Sequence, residues 1–310
     1  MTERINGINL YVETHGAAGP PIILVHGSWG DHHNWDRVVP LLAGNCRVTS
    51  YDRRGHTESE RPPGQGSVRE DVRDLAALIE NLRIAPAHVV GSSFGAIITL
   101  KLLIERPDLF ASATLHEPPL LRLVAGDPIF AAVQERTASV LRTLSAGQTE
   151  AGAKQFVDTI AFGPGAWDQL PPAMQRTFVF NAPTWFDEMQ EQEAYTLDLD
   201  RLSEFGGPVL ITEGDQSPPF FHAILERIHD AMPRAQRHVF RGASHVPHIT
   251  HPDDYALVVI PPEVWNGFKG MSDPPAIVAN CCSEPHDPKR SMRLDPFKND
   301  IPYDWNVRQH

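Results

Sequence analysis

Residues 88–107 read HVVGSSFGAIITLKLLIERP. His88-Val89-Val90-Gly91 has the short, β-branched character of a buried strand. The almost unbroken apolar run that starts at Phe94 predicts a buried helix that stops before Pro107. Between them, Gly91-Ser92-Ser93-Phe94-Gly95 fits G-x-S-x-G with Ser93 at the centre. The flanking glycines permit a turn so tight that the Ser93 side chain is thrust out, where it can meet both a base and a substrate. A phosphate-binding turn at a helix N-terminus is the competing reading. It lacks an accompanying GxGxxG or GxxxxGK[ST] pattern.

The same alternation extends to both sides. INLYVET (8–14) reads as an edge strand, and PPIILVHG (20–27) and CRVTSYD (46–52) as buried strands. HNWDRVVPLLA (33–43) has helical spacing with Pro40 marking a bend or break. VREDVRDLAALIENL (68–82) places Val68, Val72, Leu75, Ile79 and Leu82 on one helical face, with Ser67 as N-cap. ASATLHE (111–117), PVLITEG (208–214) and QRHVFRG (236–242) complete the strands. Strands alternating with helices predict βαβ units and a mostly parallel α/β sheet. Residues 118–205 show helical stretches, clustered aromatics and no strand. The expected organisation is therefore a core of residues 1–117 and 206–260, a helical cap or lid over 118–205, and an irregular tail over 261–310.

Composition bounds the partners. The chain has 310 residues, a formal charge of −12 and 41% hydrophobic residues. That charge excludes the basic surface a nucleic-acid or anionic-membrane partner requires. No segment reaches the length of a membrane span, and MTERINGINL lacks the basic and apolar regions of a secretory signal. The 3 cysteines (Cys46, Cys281 and Cys282) form no disulfide framework. A cytoplasmic protein is expected. Neither the adjacent Cys281 and Cys282 nor the histidines at 32, 33, 245, 248 and 251 come with the spacing or carboxylates of a metal site, so no metal or cofactor is expected.

A second glycine-rich loop, His26-Gly27-Ser28-Trp29-Gly30, ends the strand 20–26. Such a loop lets backbone N–H groups face a reacting carbonyl, one from the loop and one from the residue after Ser93. That nominates the Ser28 and Phe94 N–H groups, with Trp29 as the alternative in the loop. His26 itself reads as structural.

With these two motifs and this order of strands, the chain resembles the α/β-hydrolase superfamily over residues 5–117 and 206–259. Tyr51-Asp52-Arg53-Arg54-Gly55-His56-Thr57-Glu58-Ser59 is similar to the family's loop after the next strand, with Thr57 where glycine is usual. The resemblance implies a catalytic histidine after the last strand, which makes His245 in Gly242-Ala243-Ser244-His245 the base. It also implies an acid three residues beyond Gly214, where this chain has Ser217. Asp215, one residue beyond, stays open as an alternative acid. Glu117 in Leu115-His116-Glu117-Pro118-Pro119 stands at the carboxyl end of the preceding strand, where such sites form and where strand carboxylates are rare. A structural salt bridge under the cap is its bland reading.

Glu117, the missing aspartate, and Asn181-Ala182-Pro183-Thr184-Trp185 together resemble the subgroup of zearalenone lactone hydrolases. That resemblance implies a Ser93–His245–Glu117 triad and substrate contact at Trp185, with Trp29 also a candidate. Cap packing is the other reading of Trp185. The expected partner is a small hydrophobic ester or lactone, with no cofactor. A C–C hydrolase or perhydrolase of the same fold, and a non-catalytic small-ligand receptor, are the alternatives.

Overall fold

The structure, a computed structural model, describes residues 1–258. The expected tail over 261–310, with Cys281 and Cys282, lies outside the described residues. The chain opens with a hairpin of β1 (Thr2–Ile5) and β2 (Ile8–His15). Its turn is Asn6-Gly7, both at positive φ (45° and 82°), as the right-handed twist of a two-residue hairpin demands. Then follow β3 (Pro21–Val25), α1 (Val39–Leu42), β4 (Arg47–Tyr51), α2 (Val68–Asn81), β5 (Ala87–Ser92), α3 (Phe94–Glu105) and β6 (Phe110–His116). The cap helices are α4 (Pro128–Ser145), α5 (Thr149–Phe156), α6 (Pro172–Gln190) and α7 (Leu199–Ser203). The core resumes with β7 (Val209–Gly214), α8 (Pro219–Ala231), β8 (Gln236–Phe240), α9 (Pro247–Thr250) and α10 (Pro252–Val258).

The strands form one sheet in the order β1-β2-β4-β3-β5-β6-β7-β8. Only the β1/β2 and β2/β4 pairings are antiparallel. Pairing of Ala113 with Val209 sets β6 directly beside β7, so the cap is inserted without interrupting the sheet. Two details differ from the sequence reading. The strand over 8–14 is not the edge, because β1 covers it. The helical pattern over 33–43 resolves into a short 3₁₀ turn (His32–Trp35), started by Asp31 accepting from the His33 N–H, and then α1. Pro40 sits in the first turn of α1 rather than breaking a longer helix, where its missing N–H costs nothing.

Ile22, Ile23, Leu24 and Val25 are wholly buried, which is why β3 reads as an unbroken apolar run. In α2, Ser67 accepts from the Arg69 N–H as N-cap, and Val68, Val72, Leu75 and Ile79 face the core. Among the described residues, no helix is long and apolar enough to cross a membrane.

The order β4-β3-β5 puts the switch point of the sheet between β3 and β5, with Val25 opposite Gly91. Ligand crevices open at the carboxyl ends of such neighbouring strands. Here the approach of helix to strand is backbone to backbone. A Cβ on Gly95, in the first turn of α3, would sit 2.2 Å from the Val25 carbonyl oxygen and 2.6 Å from that of His26. Gly95→Ala is therefore expected to cost about 3 kcal/mol or more. Denaturant unfolding measures this, and a variant within about 0.5 kcal/mol of wild type would refute the close contact.

Candidate active site

Ser93 is the residue between β5 and α3, at φ 55° and ψ −123°. Such a backbone is strained for any residue but glycine. The strain is held by the Ser93 N–H, which donates to the His116 carbonyl at 2.8 Å, and by the helix that follows. The loop after β3 lies against it, since a Cβ on Gly27 would fall 2.8 Å from the Ser93 Cβ. Among the described residues, neither the Ser28 nor the Phe94 N–H has a protein acceptor.

His26 braces this loop from beneath. Its Nδ1–H donates to the Gly27 carbonyl at 2.8 Å, and its Nε2 accepts the Arg53 N–H at 2.9 Å. Burial, helped by the Arg53 charge, lowers its pKa to about 4. The structural reading of His26 therefore holds in geometry.

His245 follows β8, and its Nδ1–H donates to Glu117 Oε2 at 2.5 Å. That leaves Nε2 as the nitrogen available to the cavity that His245 and Ser93 both line. Phe221 of α8 stacks flat on the His245 ring, 4.4 Å between centroids. Glu117 is completely buried at φ 44°. Its other oxygen accepts the Gly214 N–H at 2.8 Å. Burial alone would raise its pKa. The imidazoles of His116 and His245 and the hydrogen bond from His245 outweigh this and lower it to about 2.

The rival acid is elsewhere engaged. Asp215 is exposed, and its carboxylate accepts the Gly242 N–H at 2.8 Å and Gln216 Nε2 at 3.1 Å. It ties down the loop after β8 and does not reach His245. Ser217, at the habitual position, stands beside Glu117 and favours its charge, although its Oγ makes no regular hydrogen bond. Ser217, where the resemblance expects the acid, and Glu117 thus stand at one place.

The cavity has an empty volume of about 880 Å³, including the part open to solvent. Phe156, Phe178 and Trp185 from the cap, and Phe220 and Phe221 from α8, supply much of its wall. No Asp, Glu, Lys or Arg is among its described lining residues. Trp185 lines the cavity. Trp29, the other candidate for substrate contact, is fully buried and is not among the described lining residues. Its φ of 66° turns the ring under the cap, against Phe156 (4.8 Å) and Trp185 (5.1 Å).

Three participants escaped the sequence reading. Neutral His116 donates from Nε2 to the His245 carbonyl at 3.1 Å and accepts Thr212 Oγ1–H at Nδ1 (2.9 Å). Asn181 and Glu188 of α6 hold the 28–30 loop. Helical spacing links Asn181, Trp185 and Glu188 to one face, a signal present in the sequence. Two groups of described residues bring metal-ligating atoms together: Asp31/His32/His33 and His116/Glu117/His245. In both, several of those atoms are engaged in protein hydrogen bonds, notably His32 to Asp52 and His245 to Glu117.

The family model described as alpha/beta hydrolase fold matches residues 20–252. The chain is 30% identical over 212 residues to an uncharacterized hydrolase, YraK, of Bacillus subtilis (strain 168), spanning 65% of this chain and 71% of that protein. It is 26% identical over 263 residues to the zearalenone hydrolase of Bionectria ochroleuca, spanning 82% and 94% respectively. The enol-lactonase of Burkholderia xenovorans LB400 superposes with a TM-score of 0.70 at 20% identity, covering 84% of this chain and 98% of that one. This last likeness bears on the fold alone.

Because the folded-state pKa of Glu117 lies below its ordinary 4.5, at about 2, its contribution to stability is present above pH 4.5 and is lost as pH falls toward 2. Glu117→Gln should lack this acid-labile share, on the order of 3 kcal/mol. Urea midpoints for both proteins between pH 5 and about 2 test it. Parallel curves would show that the carboxylate carries no such stabilisation.

Proposed function

The chain belongs to the α/β-hydrolase fold family, and from that premise we propose that it is a serine hydrolase of neutral, hydrophobic esters or lactones, acting through Ser93, His245 and Glu117. The observation that carries the reading is the 2.5 Å contact from His245 Nδ1 to the buried Glu117 carboxylate, beside a serine on a strained strand-to-helix turn. His245 Nε2 takes the Ser93 proton as Oγ attacks the carbonyl carbon. The Ser28 and Phe94 N–H groups receive the oxyanion, each worth roughly 2.7–4 kcal/mol of barrier. Glu117 fixes the tautomer and stabilises the imidazolium. His245 then gives the proton to the leaving oxygen, and water releases the acyl group by the same route reversed. A lactone gives a single ring-opened product. No cofactor enters.

A described wall without Asp, Glu, Lys or Arg favours a neutral substrate, because an unpaired charge buried there would lose its hydration uncompensated. The aromatic wall and the 26%-identical zearalenone hydrolase favour a macrocyclic lactone such as zearalenone. The unpaired, buried Cys46 fits a cytoplasmic setting.

Ser93→Ala should lose on the order of 10⁵–10⁶ in kcat and all labelling by a fluorophosphonate. A variant keeping a tenth of the activity would end the reading. Glu117→Gln should lose on the order of 10³–10⁴ in kcat, whereas Asp215→Asn stays within about tenfold. The reverse order would make Asp215 the acid. Trp185→Ala should lower kcat/KM for zearalenone at least about tenfold more than for p-nitrophenyl acetate. Equal losses on the two substrates would reduce Trp185 to a packing residue.

A further inference from the structure

The loop that carries Ser28 is held by one helix of the cap as well as by the core. Ser28 Oγ–H donates to Glu188 Oε2 at 2.5 Å. Asn181 Nδ2 donates to the Trp29 carbonyl at 3.2 Å and to the Gly30 carbonyl at 2.9 Å. Its Oδ1 accepts the Thr57 N–H at 2.9 Å. Trp185, between them on the same face of α6, packs its ring on Trp29. Three successive loop residues, 28 to 30, are thus each attached to α6.

Both polar side chains are buried, Asn181 at 0% and Glu188 at 7% exposure. Burial of such groups is costly unless every bond is made. Glu188 Oε1 accepts from Arg53 Nη2 at 2.8 Å, and Arg53 also pairs with Asp71. The Arg53 guanidinium lies over the Phe94 ring, 4.7 Å from its centroid. One connected network therefore reaches the residues that bear both oxyanion donors.

We propose that Asn181 and Glu188 are positioning residues that set the loop bearing the Ser28 N–H, so that α6 is a fixed part of the oxyanion hole and not a separable lid. The proposal rests on the serine-hydrolase reading. A lid that merely covers substrate needs apolar contact alone. A helix that hydrogen-bonds the oxyanion loop at three residues cannot swing away without releasing it, and a misplaced donor costs catalysis before it costs binding.

The test separates transition-state from ground-state binding in the full chain. An aryl trifluoromethyl ketone adds to Ser93 and forms a tetrahedral alkoxide that needs the hole. The matching methyl ketone fills the cavity largely without addition. In Glu188→Gln, Asn181→Asp and Ser28→Ala, kcat on a p-nitrophenyl ester should fall about 10–100-fold with KM within about threefold. Trifluoromethyl ketone affinity should weaken by a similar factor, methyl ketone affinity should stay, and Ser28→Thr should restore most of the loss. The Ser28→Ala/Glu188→Gln double variant should be no worse than its worse single, because Ser28→Ala already removes the hydroxyl through which Glu188 acts on the loop. Ser28→Ala changes no charge and decides the matter if a Glu188 variant does not fold. Unchanged kcat in Ser28→Ala and Asn181→Asp, equal weakening of both ketones, or losses that multiply would each overturn the proposal. A wild-type protein inert to esters and to fluorophosphonate would instead refute the serine-hydrolase reading beneath it.

Discussion

Everything at the carboxyl end of this sheet depends on how closely α3 can approach β3. Gly95 brings the first turn of the helix onto the Val25 and His26 carbonyls, and Gly27 lies against Ser93. Side chains at either position would push the loop after β3 away from the turn after β5. The two proposed oxyanion donors come from those two segments. Backbone contact between glycines and carbonyls therefore limits how near the two segments come, with little freedom to relax, and the bonds from α6 hold the loop within that limit. The strained φ of 55° at Ser93 persists because helix, strand and the bond to the His116 carbonyl together leave it no alternative.

From that fixed point the proposed acid follows by register. His116 pairs with Thr212 across β6 and β7, and the next residue, Glu117, donates its N–H to the Thr212 carbonyl. A longer glutamate side chain starting from β6 therefore ends beside the tip of β7, where Ser217 leaves the space for it. The same pairing lets His116 donate to the His245 carbonyl. A carbonyl can only accept, so Nε2 carries the proton and Nδ1 must accept from Thr212. Burial keeps this ring neutral, with its pKa lowered to about 4. His116 thus anchors the backbone of the proposed base while Glu117 holds its ring.

Most of the scaffold was legible because it follows from local rules. Apolar runs gave the buried strands, and the spacing of Val68, Val72, Leu75 and Ile79 gave α2. G-x-S-x-G in its strand–helix context located Ser93. The proposal of Glu117 over Asp215 rested in the sequence only on strand ends and a missing aspartate. What it lacked was the loop after β8, whose Gly242 N–H occupies Asp215. Trp29 went astray for a definite reason. A side chain in a glycine-rich loop has no periodicity to fix its direction, and φ of 66° sent this one under the cap. Asn181 and Glu188 were hidden differently. Their face of α6 could be read, but their partners lie 151 and 160 residues away, and no single-sequence pattern supplies such pairings.

The distribution of charge ties these features together. No described Asp, Glu, Lys or Arg lines the cavity, yet Glu117, Glu188, Arg53 and Asp71 stand behind its polar groups. Each acts through an intermediary: Glu117 through His245, Glu188 through the Ser28 hydroxyl, Arg53 through the Phe94 ring and Glu188, and Asp71 through Arg53. Burial pushes the Glu188 pKa up to about 6 against the pull of Arg53. In so buried a setting a hydrogen bond or dipole acts more strongly than in water, so charges one step removed still orient the groups in front of them. A neutral substrate then meets an apolar wall in the ground state, and the polarised N–H groups meet negative charge only once the carbonyl has been attacked. On this reading the binding of the substrate and the stabilisation of its transition state are assigned to different layers of the same site.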